Sequence, residues 1–261
     1  MNRSLYIVLR QSPDWKSITR PDFQKQAREF CRLIMRPVEQ VNNYVDLWDT
    51  TFGIPYFAAR QAMKELTLRN FQSVERASVV SLHQVVAGGT GLGVYLFIDD
   101  DDWIRPDILA AVEASECAGA EAFVWGSVAF GREEGPALTF RELDKTCYTN
   151  NYALDHRYFE RQPSQAQGLC QHWEAESNIP KERLCLIPDY LTVTNKNPTS
   201  TLYLERELGE TPTREALLKS VGRYNERLND WEDRKAVAWA RPYMVEVRDF
   251  FASVAASQIN Q

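Results

Sequence analysis

Residues 94–107 read VYLFIDDDDWIRPD, and the order of residue types in this stretch decides the fold. Val94 to Ile98 is an unbroken apolar run rich in aromatic and β-branched side chains. A run of that length, ended abruptly by charge, predicts a strand buried on both faces. Asp99 to Asp102 then break the strand. Pro106 predicts a helix start, with a helix over about 106–118 and Ile108, Leu109 and Val112 facing inward.

The same pattern extends outward from this core. Leu5–Leu9 (LYIVL) reads as a second fully apolar strand, and Phe123–Phe130 (FVWGSVAF) as a third. Thr146–Leu154 and Tyr44–Trp48 are also expected as strands. A helix is expected from Pro21 on the spacing of Phe23, Ala27, Phe30, Leu33 and Ile34, ending near Pro37, and another around Phe57–Leu68. Ser81–Ala87 fits helix or strand, and Gly88–Gly93 reads as a loop. Strands alternating with helices imply an α/β fold with a mostly parallel, Rossmann-like sheet flanked by helices. After Thr211-Pro212 the pattern becomes purely helical. Leu217, Leu218, Val221, Tyr224, Leu228 and Trp231 repeat at helical spacing, and Met244, Val247, Phe251 and Val254 do so again after Pro242. The expected organisation is an α/β sheet domain over 1–205 and a C-terminal helical extension over 206–261. That extension would pack on the sheet domain or form a homodimer contact.

The whole chain has 261 residues with 30 Lys plus Arg against 36 Asp plus Glu, a formal net charge of −6. That balance disfavours nucleic acid or an anionic membrane as partner, without excluding a local basic groove. No apolar run reaches the ~18–20 residues of a membrane span. Five cysteines stand at 31, 117, 147, 170 and 185, none in a CxxC pair. With no recognisable secretion signal they are expected as reduced thiols in a cytoplasmic protein.

The four aspartates carry the chemistry. Strand residues two apart lie ~6.6 Å apart and point the same way, so Asp99 and Asp101 are expected to converge, with Asp100 and Asp102 directed elsewhere. Two carboxylates ~4 Å apart repel by about 4 kcal/mol at an effective dielectric of 20, so something must offset the charge. Oxygen ligands without Cys or His beside them suit Mg²⁺ or Mn²⁺. In open α/β sheets the carboxyl ends of strands are where ligands bind. An EF-hand does not fit: counting from Asp99, Ile104 stands where Gly is needed and Ala110 where Glu is needed. Gly88–Gly93 does not make a dinucleotide fingerprint, and no P-loop lysine pattern occurs.

A strand, four acidic positions, a short apolar step, Pro106-Asp107 and an apolar helix resemble the metal-binding segment of nucleotide-sugar glycosyltransferases of the GT-A fold (Asp-x-Asp type). The four-Asp form also resembles a bacterial rhamnosyl transferase group. The resemblance implies a GT-A-like fold, a UDP- or dTDP-linked sugar as donor, a divalent metal, and transfer to an acceptor hydroxyl. By the same resemblance Asp99 approaches the nucleoside and Asp101 ligates the metal, with Asp100 supporting nucleotide binding and Asp102 the metal. It also implies a proton-accepting base late in the sheet domain and, in some members, a His ligand. Asp155 and Glu174 are the candidates for the base and His172 for the extra ligand, and no local pattern selects between the two acids. Arg10, just past the first strand, is a candidate for contact with a phosphate or the base of the donor, and Lys196, in the donor-rich segment Thr194–Ser200, for closing over its diphosphate. The acceptor is a glycan, a protein or a modified base in phage DNA. A nucleotidyltransferase is a rival class, but lacks the glycine-rich loop and basic residue it needs near the first strand. A non-catalytic acidic metal-binding module is another, and predicts no stabilisation by nucleotides.

Overall fold

The computed structural model describes residues 3–9, 14–18, 38–81, 84–85, 91–115, 117, 119–130, 138–139, 150–162, 179–200, 212–232 and 234–256. In chain order these form β1 (Ser4–Leu9), α1 (Val38–Phe52), α2 (Tyr56–Gln72), β2 (Ala77–Ser81), β3 (Gly93–Ile98), β4 (Trp103–Ile104), α3 (Ile108–Ala114), β5 (Ala122–Phe130), β6 (Leu138–Thr139), β7 (Tyr152–Asp155), α4 (His156–Arg161), β8 (Leu184–Asn195), α5 (Arg214–Glu232) and α6 (Arg241–Ala256). The expected helix between Pro21 and Pro37 lies outside the described residues, as does the first half of the strand expected at 146–154.

The chain divides into two compact units. The first comprises Met1–Ser12, Thr67–Ala129 and Glu134–Thr194. It holds one sheet in the order β2-β1-β3-β7-β5-β8-β4, with β6 paired to β5. Strand β1 is parallel to both β2 and β3. Strand β7 runs antiparallel to its neighbours β3 and β5, so β5 points the same way as β1, β2 and β3. The fold class is therefore α/β, as the alternation of elements implies.

Register explains why these strands lack polar breaks. Ile7, Leu96, Ala153 and Phe123 are cross-strand partners in one row, and Tyr6, Tyr95, Leu154 and Ala122 form the row beside it. Side chains alternate along a strand, so the two rows face opposite sides of the sheet. The first row belongs to a core with Phe71 in the last turn of α2, Val74 just beyond it, and Ile108, Leu109 and Val112 of α3. The second joins Tyr158 and Phe159 of α4. Both sheet faces are thus covered, and all six residues of β3 are buried. Gly93 opens β3 because nothing larger fits: a Cβ there would sit 2.6 Å from the Ser4 carbonyl and 2.6 Å from the Tyr6 ring.

One acid is held inside this unit. Glu121 is only 4% exposed. It accepts hydrogen bonds from Arg161 at 2.9 Å (Nε) and 2.5 Å (Nη2), and from Arg183. Burial pushes the Glu121 carboxyl up, but the two guanidiniums outweigh it and hold it below its ordinary range. A depressed folded-state value contributes stability that is present above ~pH 4.3, the unfolded value, and lost as pH falls through the folded one. Glu121→Gln should cost about 1.5–3 kcal/mol near neutral pH, the usual worth of hydrogen bonds to charged groups. Urea unfolding from pH 6 to pH 3 should show the gap to wild type narrowing.

The second unit comprises Pro13–Leu66, Phe130–Glu133 and Asn195–Gln261. The C-terminal helices share it with α1 and most of α2. The expected strand Tyr44–Trp48 is helical and lies inside α1. The five-residue window looks β-like because it is aromatic and branched. Over a longer window, the buried residues Val41, Tyr44, Val45, Trp48 and Phe52 recur at three, four and seven residues, a helical stripe. Gly53 (φ 63°) ends α1 in the left-handed region, and Asp49 Oδ1 then accepts the Tyr56 N–H at 2.7 Å to start α2. The two C-terminal helices form as expected. Leu217, Val221, Tyr224 and Leu228 of α5 are buried, as are Met244, Val247, Phe251 and Val254 of α6. Trp48 meets Phe52, Tyr56 and Phe251 at ring separations of 4.5, 6.0 and 6.3 Å, and Phe251 meets Tyr224 at 5.5 Å. Among the described residues no helix is long and apolar enough to cross a membrane.

The cysteine expectation needs correction. Cys117 and Cys185 form a disulfide, with Cα atoms 5.8 Å apart. Sequence spacing gave no hint of it, because the partners are 68 residues apart and are brought together only when β8 packs behind α3. Cys31, Cys147 and Cys170 lie outside the described residues.

Candidate functional site

Strand β3 ends at Ile98, which pairs with Leu9, the last residue of β1. The chain therefore leaves both strands at one edge of the sheet. From there β1 connects toward β2 on one side, and β3 toward β4 on the other. Such a switch point opens a crevice at the carboxyl ends of parallel strands.

The aspartates occupy that edge. The backbone does not continue as a strand: the Asp102 N–H reaches back to the Asp99 carbonyl at 3.4 Å. This turn changes the geometry expected from strand alternation. One carboxylate oxygen from each of Asp99, Asp101 and Asp102 lies within 4.8 Å of the others. Asp102 thus joins the pair that alternation predicted, while Asp100 is buried but outside the group. Asp101 and Asp102 are buried and Asp99 is half-buried. Two trans ligands of one ion at about 2.0–2.6 Å span about 4–5 Å, so the three oxygens fit a single hard cation.

The turn is anchored from both sides. On its far flank β4 pairs with β8, Trp103 opposite Val193 and Ile104 opposite Thr192. Asn70, fully buried just before the end of α2, clamps the next peptide. Its Nδ2 donates to the Ile104 carbonyl at 2.9 Å and its Oδ1 accepts the Ile104 N–H at 2.7 Å. Arg105 donates its backbone N–H to Leu191 at 2.9 Å and its side chain to Asp107 at 2.6 Å and to Asp189. Behind the cluster, Asn150 Nδ2 donates to Asp102 Oδ2 at 3.0 Å. The Asn150 carbonyl oxygen accepts from Thr194 Oγ1 at 3.0 Å and lies 3.2 Å from Ser127 Oγ. Trp125 Nε1 donates to Thr192 Oγ1 at 3.0 Å, closing a buried polar network across β5 and β8.

The other candidates separate. Asp155 pairs with Val94, at the amino end of β3. Val94 and Ile98 are four residue steps apart along the strand, ~13 Å. Asp155 therefore stands at the opposite sheet edge from the aspartate cluster. There it caps α4, accepting the Arg157 N–H at 3.1 Å and Arg157 Nε at 2.6 Å, with Arg3 Nη1 at 3.7 Å. The structure does not bring it to the cluster. Arg10, His172 and Glu174 lie outside the described residues. Lys196 falls in the second unit, in a turn whose neighbours Asn195, Asn197 and Thr199 are buried. Tyr224 donates to Asn195 Oδ1 and Tyr56 to the Thr199 carbonyl, which makes this an anchored segment.

Sequence reasoning missed Asn70, Ser127, Asn150, Thr192 and Thr194. A signal existed for three of them. Thr192 and Thr194 recur at period two in a strand otherwise apolar around them, and Ser127 interrupts FVWGSVAF. A polar side chain in a strand buried on both faces needs a partner. Asn70 and Asn150 carry no comparable signal in helix or loop sequence.

No family model matches this chain, and no curated protein matches it. Among solved structures it is similar to the crystal structure of S. aureus TarS 1-349, at 10% identity and a TM-score of 0.39, covering 98% of this chain and 88% of that one. It is similar to S. aureus TarS 1-349 in complex with UDP-GlcNAc at 10% identity and a TM-score of 0.38, covering 100% and 89%. These likenesses are too distant to assign residues.

Proposed function

We propose that this chain is a glycosyltransferase that moves a sugar from a nucleotide-diphosphate donor to an acceptor hydroxyl. The observation that carries this reading is the convergence of Asp99, Asp101 and Asp102 at the carboxyl end of buried β3, beside the switch point between β1 and β3. Those three residues would hold Mg²⁺ or Mn²⁺, which when bound supplies charge neutralisation for the departing diphosphate. Asp99, the least buried of the three, would approach a UDP- or dTDP-type nucleoside. Arg10, next in sequence after Leu9, is the candidate for a phosphate contact. Asn70 and the β4–β8 pairing keep the acidic turn from relaxing when its charges repel. With Asp155 engaged at the opposite edge, Glu174 is the remaining candidate for taking the acceptor's proton.

A melting-temperature panel tests the proposal. UDP-, dTDP- and GDP-sugars and the free nucleotides are compared with and without Mn²⁺. A ligand at 100 times its Kd adds ~2.7 kcal/mol. At roughly 2–4 °C per kcal/mol for a chain of this size, that is a rise of about 5–10 °C. The expected result is a rise that needs both Mn²⁺ and a nucleoside diphosphate, followed by sugar transfer with the best donor. A panel in which no nucleotide gives a Mn²⁺-dependent shift rejects the proposal.

A further inference from the structure

We infer that Asn150 is a positioning residue for the cation site, setting the angle at which Asp102 meets the ion. The inference rests on the cation-site reading above and assigns a role to a residue outside the aspartate motif. Asn150 is fully buried, two residues before the start of β7, and its amide spans two unlike surroundings. On one side lies Asp102 Oδ2 at 3.0 Å, a carboxylate oxygen that accepts the amide's N–H. On the other lie the hydroxyls of Thr194 at 3.0 Å and Ser127 at 3.2 Å, which can donate. Only one orientation of the amide satisfies both sides: NH₂ toward the carboxylate and oxygen toward the hydroxyls. The reverse would set two oxygens against each other in a buried site.

A carboxylate turns easily about its last bond, and a turn of Asp102 would move the oxygen that converges with Asp99 and Asp101. The Asn150 hydrogen bond fixes that plane. Thr194 and Ser127, on the rigid strands β8 and β5, fix Asn150 in turn. The chain of contacts thus connects the sheet framework to one ligand of the cluster. Outer partners of this kind typically change metal affinity 10–100-fold when removed.

The test is a Mn²⁺ titration followed by electron paramagnetic resonance on the full chain, with melting curves confirming that each variant is folded. Four proteins are compared: wild type, Asp101→Asn, Asn150→Ala and Thr194→Val. The expected result is Mn²⁺ binding by wild type and loss in Asp101→Asn. Affinity should weaken about 10–100-fold in Asn150→Ala and change in the same direction, by a smaller factor, in Thr194→Val. A purely structural role for Asn150 would lower the melting temperature and leave the Kd of the folded protein within twofold, which overturns the inference while the cation site stands. Absence of Mn²⁺ binding in wild type overturns the cation site itself. If Asn150→Ala does not fold, Thr194→Val decides: it keeps the side-chain volume and removes only the hydroxyl, and an unchanged Kd there overturns the inference.

Discussion

Asp101→Asn is expected to abolish Mn²⁺-dependent nucleotide binding and sugar transfer and to leave a folded protein. Asparagine keeps the volume of the aspartate, so the packing of a residue only 2% exposed is retained. What it removes is one of three charged oxygens lying within 4.8 Å of one another. A neutral amide oxygen is a weaker ligand for a hard cation than a carboxylate. The loss in Mn²⁺ affinity should reach at least ~100-fold, the upper end of what an outer partner contributes. Calorimetric titration of UDP with and without Mn²⁺ checks it. Wild-type UDP–Mn²⁺ affinity in a folded Asp101→Asn protein would place the metal elsewhere and remove the basis for the proposed function.

Opening the Cys117–Cys185 bond should cost nearly as much, in stability. The bond closes a segment of 68 residues that contains β5, β7 and Asn150. In the chain-entropy model a loop of that length contributes about 4 kcal/mol. At roughly 2–4 °C per kcal/mol, reduction or Cys117→Ala should lower the melting temperature by about 8–16 °C. Cys117 is at the surface, which suits it to substitution, whereas Cys185 is packed in the core beside Ile187 and Leu191. Alkylation after denaturation without reductant provides the chemical check: both cysteines should be protected, then react once reductant is added. Reaction of both before reduction would show that the thiols are free and that the pair contributes packing alone. Repeated on freshly lysed cells, the same measurement reports the redox state in which the protein is kept, because disulfides persist in oxidising surroundings.

The parts of the fold legible in the sequence are those set by local pattern over a sufficient length. Val94–Ile98 and Phe123–Phe130 appear as strands because their runs are apolar on both faces, and α5 and α6 because their stripes extend over about three to four turns. Tyr44–Trp48 fails as a strand because five residues are too few to separate period two from period 3.6. Extending the window to Val41 and Phe52 would have settled it. The aspartates were legible as a candidate site, since four adjacent acids after a buried strand are rare enough to stand out. Its membership was not, because strand alternation selects Asp99 and Asp101, whereas the turn adds Asp102.

What the amino-acid order determined alone is therefore the α/β class, the buried strand β3 and the place where charge leaves it, all consequences of side-chain periodicity and of the cost of burying a carboxylate. Tertiary structure alone decided which edge each acid reaches: β7 runs against β3, so the strand that seemed to deliver Asp155 to the crevice carries it to the other end. It also decided the Cys117–Cys185 bond and the Asn150 and Asn70 contacts, whose partners stand 68, 48 and 34 residues away. Contacts of that range depend on strand direction and pairing order, and neither is encoded in any short window of the chain.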